Sequence, residues 1–421
     1  MDFKIENFYN PHLSMDASRI DVIISVTGLN DGTVIENKNK AFFILLDVSG
    51  SMLINEKMAK AKIAVHKCID LLEPNTLFSI ITFQSSVKIV FPLCSVNESS
   101  KQRAHETVKK LTANGGTEMS KALLAVLEQI RGKKGLVTYA QLVTDGENNS
   151  NDYDYLEHAL SMCQGKFQCD CWGIGTSWHP DELKKIANRL LGTADAVPDA
   201  GNLSVHFKNS LTNAMSKNIA DIKLRIQTPK SVKILSVKQM SPEIVDLSKL
   251  FKRIDDRNID IPLGAWTSES RDYFIAFELH GQNEGDEIMA GRPKIIYSES
   301  GQEIVINGDR IIAVWSTDIS LTSRINEQVA HYTDQEELAD SIKKGLESKA
   351  RGDIDTATIL LKKAAKIAIE SNNEEVTTRL KKVIDIVDKD QFTIKLKYES
   401  GKSEDLELDM GATRTIRKKP K

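Results

Sequence analysis

Four short runs between Ala41 and about Ala220, AFFILL, LFSIITF, LVTYAQLV and FQCDCWGIG, are apolar almost without interruption. A strand with one wet face alternates apolar and polar residues. A strand as uniformly apolar as these is covered on both faces, the condition of a parallel sheet flanked by helices. The segments between the runs supply those helices. EKMAKAKIAVHKCIDLL places Met58, Ala61, Val65, Cys68 and Leu72 on one stripe, and MSKALLAVLEQIRG does the same with Leu123, Val126, Leu127 and Ile130. NLSVHFKNSLTNAMSKNIA closes the set, and SSVKIVFPL, soon after LFSIITF, reads as an antiparallel edge strand made by a hairpin. This strand and helix alternation predicts a doubly wound α/β domain over residues 41–220.

At 421 residues the chain exceeds one core, and its texture changes after Asp221. IKLRIQT, VKILSVKQ, RNIDIPL, DYFIAFELH and RIIAVWST are strands without helices between them, which predicts a β-sandwich over 221–319. SRIDVIISVTG, in the segment 1–40, also reads as a strand. We expect it to join that sandwich, with the α/β domain inserted between the two. Residues 320–389 carry helical patterns, LTSRINEQVAHYT, DQEELADSIKKGLESKARG, IDTATILLKKAAKIAIES and EEVTTRLKKVIDIVD. Residues 390–421 are charged and are expected to form a disordered tail. The fold class expected is therefore multidomain, α/β plus all-β, with a helical segment and a flexible end.

Composition narrows the function. A formal net charge of −3 gives no general attraction for nucleic acid or an anionic membrane. No apolar stretch reaches the roughly 18 residues of a membrane span, and MDFKIENFYNPHLS lacks the pattern of a secretory signal. Five scattered cysteines, Cys68, Cys94, Cys163, Cys169 and Cys171, do not suit a disulfide framework, so a reducing cytoplasm is expected. The spacing of the last three is not that of a zinc knuckle, and they read as buried thiols. Trp172 and Trp178 read as packing residues. The chain has no phosphate-loop motif and no G-x-S-x-G nucleophile elbow.

The first apolar run ends in DVSGS, which puts Asp47, Ser49 and Ser51 in the loop at the carboxyl end of a strand, where open α/β sheets bind ligands. NGGTEMSKA brings Thr117 to the same edge behind a Gly-Gly turn, and LVTDGENN brings Asp145 from the end of another strand. Two carboxylates and three hydroxyls, with no imidazole or thiolate, suit a hard cation. Mg²⁺ or Mn²⁺ fits first, and Ca²⁺ fits the same donors. The competing reading is a capped helix start, with Ser51 or Asp47 accepting backbone amides. Catalysis is the less favoured use, because within these loops only Glu118 and Glu147 offer a base, and both are expected to face solvent. The donors themselves are expected on an exposed rim rather than in a core.

These three segments, Asp-x-Ser-x-Ser, then Thr in GGT, then Asp in TDG, resemble the metal-ion-dependent adhesion site (MIDAS) of the von Willebrand factor type A domain. The resemblance covers Ala41 to about Ala220, all five positions are present, and the fold it implies is Rossmann-like. It implies Asp47, Ser49, Ser51, Thr117 and Asp145 as ligands of one divalent ion, some through water. Neutral hydroxyls leave much of the cation's charge in place, so a carboxylate from a partner protein can complete its shell.

The basic end TRTIRKKPK has two readings, a solvated terminus or a kinase substrate at Thr413 or Thr415. Ile416 three residues after Thr413 is similar to the spacing read by forkhead-associated (FHA) domains. The domain order also resembles bacterial cytosolic proteins associated with Ser/Thr kinases and FHA proteins. The function expected is a non-enzymatic, metal-dependent interaction scaffold. The alternatives are an adaptor for an ATPase remodelling machine and, in a different class, a metal-dependent phosphoester hydrolase.

Overall fold

The chain begins one unit, leaves it to build another, and returns. Residues 1–33 and 221–421 form the first unit and residues 34–220 the second. The computed structural model describes residues 2–29, 40–74, 76–133, 135–217, 219–281, 283–299, 302–388, 393–397 and 400–418. Strands β1 (Asp2–Phe8), β2 (His12–Leu13) and β3 (Arg19–Leu29) open the first unit.

The inserted unit runs β4 (Lys40–Asp47), α1 (Lys57–Leu71), β5 (Leu77–Phe83), β6 (Val87–Ser95), α2 (Glu98–Lys109), α3 (Met119–Ile130), β7 (Val137–Thr144), α4 (Tyr153–Cys163), β8 (Gln168–Ile174), α5 (Pro180–Arg189), β9 (Ala194–Val197) and α6 (Leu203–Ser216). Its sheet has the order β6-β5-β4-β7-β8-β9, parallel except for the antiparallel edge strand β6. The central strands β4 and β7 are buried along nearly their whole length, as their continuous apolar sequence requires. The amphipathic stripe of α1 packs on one face through Ala61, Val65 and Cys68, together with Phe207 and Leu211 of α6. Strand β9 was not expected, since ADAV is four residues of weak strand propensity. The cysteines are free, four of the five are buried, and burial pushes the Cys163 thiol up to about 12. Trp172 and Trp178 are both buried, and a Cβ at Gly173 would fall 2.1 Å from the Trp178 ring.

Helices α1 and α2 meet through two histidines. His66 Nδ1 lies 2.7 Å from His105 Nδ1, and His105 Nε2 lies 2.9 Å from Asp70 Oδ1. A hydrogen bond between the two facing nitrogens needs one to donate and the other to accept, so a proton on both is opposed. Burial first, then the neighbouring charges of His105, Lys109 and Lys62, hold His66 below its ordinary value of 6.5, against the opposite pull of Asp70. The unfolded chain therefore binds a proton that the folded chain resists, and stability is lost as pH falls below about 6.5. The melting temperature of the wild-type chain is expected to fall more steeply from pH 7.5 to 5.5 than that of His66→Gln. Parallel slopes would show that the pair is not under this strain.

The chain returns with β10 (Ile219–Gln227), β11 (Lys233–Ser241), β12 (Val245–Asp246), β13 (Lys252–Arg253), β14 (Asn258–Trp266), β15 (Ser270–Glu278), β16 (Glu287–Glu299), β17 (Gln302–Asn307) and β18 (Ile311–Trp315). One sheet is β1-β3-β15-β11-β12, and the other is β13-β14-β10-β16-β18-β2, with β17 on β16. Phe3 of the first sheet meets Trp266 and Tyr297 of the second edge to face at 5.7 and 5.4 Å, so the sheets pack as a sandwich. Strand β3 pairs with β1 on one side and β15 on the other, in register from Arg19↔Glu278 to Thr27↔Ser270. Its outward Ile23 is covered too, in a cluster with Met240, Phe274 and Tyr332.

Helices α7 (Ile319–Thr322), α8 (Glu327–Ala350), α9 (Ile354–Glu370) and α10 (Glu374–Val383) follow, then β19 (Ile384–Asp388), β20 (Thr393–Leu396) and α11 (Lys402–Gly411). Two expectations are corrected here. IDIVD does not continue the preceding helix: its alternating Ile384 and Ile386 make a strand paired with β20. The end expected to be disordered carries α11, whose Leu408 enters a core with Leu338, Leu361 and Leu380. Residues 390–392, 398–399 and 419–421 of that expected tail lie outside the described residues. Among the described residues, no helix is long and apolar enough to cross a membrane.

Candidate metal centre

Strands β4, β5 and β7 end side by side at their carboxyl edge, and three loops cross there. Backbone bonds lash the loops together: Val48 N–H to Phe83 O at 2.9 Å, Asn114 N–H to Val48 O at 2.7 Å, Gly50 N–H to Gly115 O at 3.0 Å and Asn149 N–H to Thr117 O at 2.9 Å. Gly115 holds a left-handed φ of +78°, and a Cβ there would lie 2.0 Å from Gln84 Oε1, so the Gly-Gly turn needs glycine at this position.

Asp47 is fully buried, with Oδ1 accepting the Ser49 N–H at 2.7 Å and Oδ2 accepting the Thr144 hydroxyl at 2.5 Å. Ser49 Oγ and Ser51 Oγ are 3.0 Å apart, and Ser51 Oγ donates to Asp145 Oδ1 at 2.7 Å. Thr117 reaches the same place: a Cβ on Gly146 would sit 3.3 Å from Thr117 Oγ1 and 3.5 Å from Ser51 Oγ. The five residues named from the sequence therefore share one small volume. The exposed rim expected for them is wrong, because Asp47, Ser49, Thr117 and Asp145 are all buried. Thr413 and Thr415 belong to the other unit, where Thr413 Oγ1 donates to Glu243 Oε1 at 2.7 Å and the Thr415 hydroxyl donates to Met240 O.

Two buried carboxylates at one point are costly unless positive charge offsets them. Burial, opposed by the hydrogen bonds from Thr144 and Ser49 and reinforced by Asp145, pushes the Asp47 carboxyl up to about 6. Asp145 is met by Lys57, whose Nζ donates to Oδ2 at 2.6 Å. Sequence reasoning missed this lysine, because a lysine opening an amphipathic helix reads as solvent-facing. Just before it, Asn55 and Glu56 both hold left-handed backbones, φ 55° and 57°, without being glycine. Such conformations cost energy and concentrate at functional sites. Here they turn the chain so that α1 begins with Lys57 beside Asp145.

The competing reading, a capped helix start at DVSGS, accounts for less of the geometry. Asp47 does accept the Ser49 amide, but neither the helical turns that begin at Gly50 nor helix α1 starts with a side-chain cap. The donor set of the cluster, two carboxylates and three hydroxyls, fits a hard divalent cation. Among the described residues, no three His, Cys, Asp or Glu side chains come together as an alternative metal site. Neither carboxylate considered as a base stands free: Glu118 pairs with Lys121, and Glu147 lies 3.1 Å from His179 Nε2.

A family model for the von Willebrand factor type A domain matches residues 41–196. The chain is similar over nearly its full length to a solved structure, von Willebrand factor type A from Catenulispora acidiphila. Identity is 34%, coverage is 99% of this chain and 97% of that one, and the TM-score is 0.91. The ArnB paralog VWA2 from Sulfolobus acidocaldarius shares the fold at 13% identity, with 98% of each chain covered and a TM-score of 0.64. Among curated proteins, an uncharacterized protein of Synechocystis sp. is 28% identical over 210 residues, 49% of each chain. The human von Willebrand factor A domain-containing protein 5B1 is 30% identical over 218 residues, 50% of this chain and 17% of that protein. The chain thus spans about half of the first curated relative and under a fifth of the second.

Proposed function

Because this chain belongs to the von Willebrand factor type A family, we propose that it is a non-enzymatic scaffold that captures a partner's carboxylate through a divalent cation held by Asp47, Ser49, Ser51, Thr117 and Asp145. Domains of this family are generally interaction modules built around a metal site. The observation that carries the reading is the convergence of Ser51, Thr117 and Asp145 about Gly146, next to the paired Ser49 and the buried Asp47. A bound cation supplies an under-neutralised Lewis-acid position that a carboxylate takes in preference to water. The residues of this chain do the rest. Thr144 and the Ser49 amide fix the Asp47 carboxylate, Ser51 orients Asp145, and Lys57 stabilises Asp145 and so competes for it. Mg²⁺ is the cation proposed, with Mn²⁺ and Ca²⁺ as alternatives.

The test is capture from a lysate of the source cell with wild type and Asp145→Asn, each with and without chelator. The expected result is a set of proteins retained by wild type in Mg²⁺ and lost under both treatments. Identical captures in all four arms would sink the reading. A kinase and FHA partnership through Thr413 or Thr415 is kept as a second proposal in a modified form. Thr413 donates to Glu243 and Thr415 to Met240, so a kinase would have to meet this segment after it leaves its seat. The hydrolase alternative is disfavoured because the two carboxylates considered as its base, Glu118 and Glu147, are paired with Lys121 and His179.

A further inference from the structure

The last described residues, 413–418, run past α11 along the rest of the first unit, and backbone groups on both of the segment's edges are bonded. On one edge, Thr413 O accepts from Ile244 N–H at 2.8 Å and Thr415 N–H donates to Pro242 O at 3.0 Å, which makes a single antiparallel bridge, Arg414 opposite Glu243, at the β11–β12 turn. On the other edge, three side chains donate to alternate carbonyls. Asn373 Nδ2 reaches Arg414 O at 3.0 Å, His331 Nε2 reaches Ile416 O at 2.7 Å and Gln328 Nε2 reaches Lys418 O at 3.2 Å. Alternate residues of an extended chain point their backbone groups to the same side, so this spacing is that of an extended backbone.

Side chains add selectivity. Arg417 Nε lies 3.1 and 3.2 Å from the two oxygens of Asp272, and its Nη2 donates to Ser25 Oγ at 2.6 Å. Asp272 and Ser25 are buried, and Asp272 also accepts the Tyr332 hydroxyl at 2.5 Å. The receptor side thus offers a buried carboxylate, held by Tyr332, that the guanidinium meets. The segment itself is different: none of residues 413–418 is fully buried, and the helical core beside it ends with Ala412. A segment integral to the core would bury its apolar side chain, and Ile416 is only half-buried.

We infer that this edge of the first unit is a recognition groove for an extended Thr-Arg-Thr-Ile-Arg peptide, with the chain's own C-terminal segment as its resident ligand. Main-chain bonds on both edges give affinity, and the Asp272 pocket selects arginine two residues after the second threonine. The inference is independent of the metal centre and survives if the metal reading fails.

The test uses the full chain carrying Arg417→Ala, which loosens the resident segment, and a fluorescent peptide of the natural sequence 412–421. The expected result is saturable one-to-one binding to Arg417→Ala, at least about tenfold tighter than to wild type, whose groove is filled. Adding Asp272→Asn to Arg417→Ala is expected to weaken the peptide at least about tenfold. Absence of saturable binding to Arg417→Ala, or binding indifferent to Asp272→Asn, overturns the inference. If Arg417→Ala does not fold, hydrogen exchange on wild type decides. The Thr415 amide is expected to exchange at least about tenfold faster than the β3–β15 ladder amides. Exchange as slow as that ladder would make the segment a fixed part of the fold and overturn the inference.

Discussion

Alanine at Ser49 is expected to lower the affinity for Mg²⁺ by at least about 100-fold while leaving the chain folded. The side chain contributes only its hydroxyl to the cluster. The bond that shapes the loop, from the Ser49 amide to Asp47, comes from the backbone and survives the change. Asp47→Asn should act similarly by removing charge, because the amide oxygen can still accept from Ser49 N–H. Asp47→Ala is a poorer probe, since it strips partners from Ser49 and Thr144 in a buried place. Lys57→Met should move affinity in the opposite direction, about tenfold tighter, because the ammonium and the cation both call on Asp145. Calorimetric titration of the three variants with Mg²⁺ reads all of this. Wild-type affinity in Ser49→Ala and Asp47→Asn would refute the ligand assignment. Unchanged affinity in Lys57→Met would show that the lysine only orients Asp145.

The second large effect lies away from the metal. Asp170 is buried in β8, and among the described residues its hydrogen-bond partners are all neutral, yet every lone-pair direction is used. Oδ1 accepts from Thr193 N–H at 2.8 Å and from Thr193 Oγ1 at 3.0 Å, and Oδ2 accepts from Ser210 Oγ at 2.6 Å and from the Tyr139 hydroxyl. One carboxylate thereby ties β7, β8, the turn before β9 and α6. Asp170→Ala would orphan several buried donors at once and is expected to destabilise the inserted unit by about 3–5 kcal/mol. Denaturant unfolding followed by the tryptophan signal of Trp172 and Trp178 measures it. A loss below about 1 kcal/mol would show that water replaces the carboxylate. The contrast with Asp145 is instructive. Asp170 is saturated by neutral donors, whereas Asp145 draws on a lysine and one hydroxyl, which is the chemistry of a carboxylate suited to a cation.

The parallel sheet could be read from the sequence because burial on both faces leaves an unmistakable run such as FFILL, and the donor loops could be read because each directly follows such a run. What could not be read depends on distant residues. Nothing local tells that Ser49 and Thr117 are buried, since loop hydroxyls look alike whether a neighbouring loop covers them or not. Lys57 was hidden for the same reason. Thr144, one position before Asp145, was absorbed into a strand pattern although it holds Asp47 in place. The strand β19 did leave a signal. Val376, Leu380 and Val383 follow helical spacing, and Ile384 and Ile386 then switch to alternation. In the C-terminal segment, charge dominated the composition, and the few apolar residues of α11 were too sparse to announce a helix.

The insertion of residues 34–220 into the first unit sets the order in which a nascent chain can become structured. Every strand of the inserted sheet is made and paired within that stretch, so the loops of the proposed metal site can close while later residues are still being synthesised. Strand β3, apolar on both faces, must wait until translation has passed through the whole insertion before β15 arrives to cover its open side. The vulnerable interval in the life of this protein therefore belongs to the sandwich, and a chaperone would find its work there.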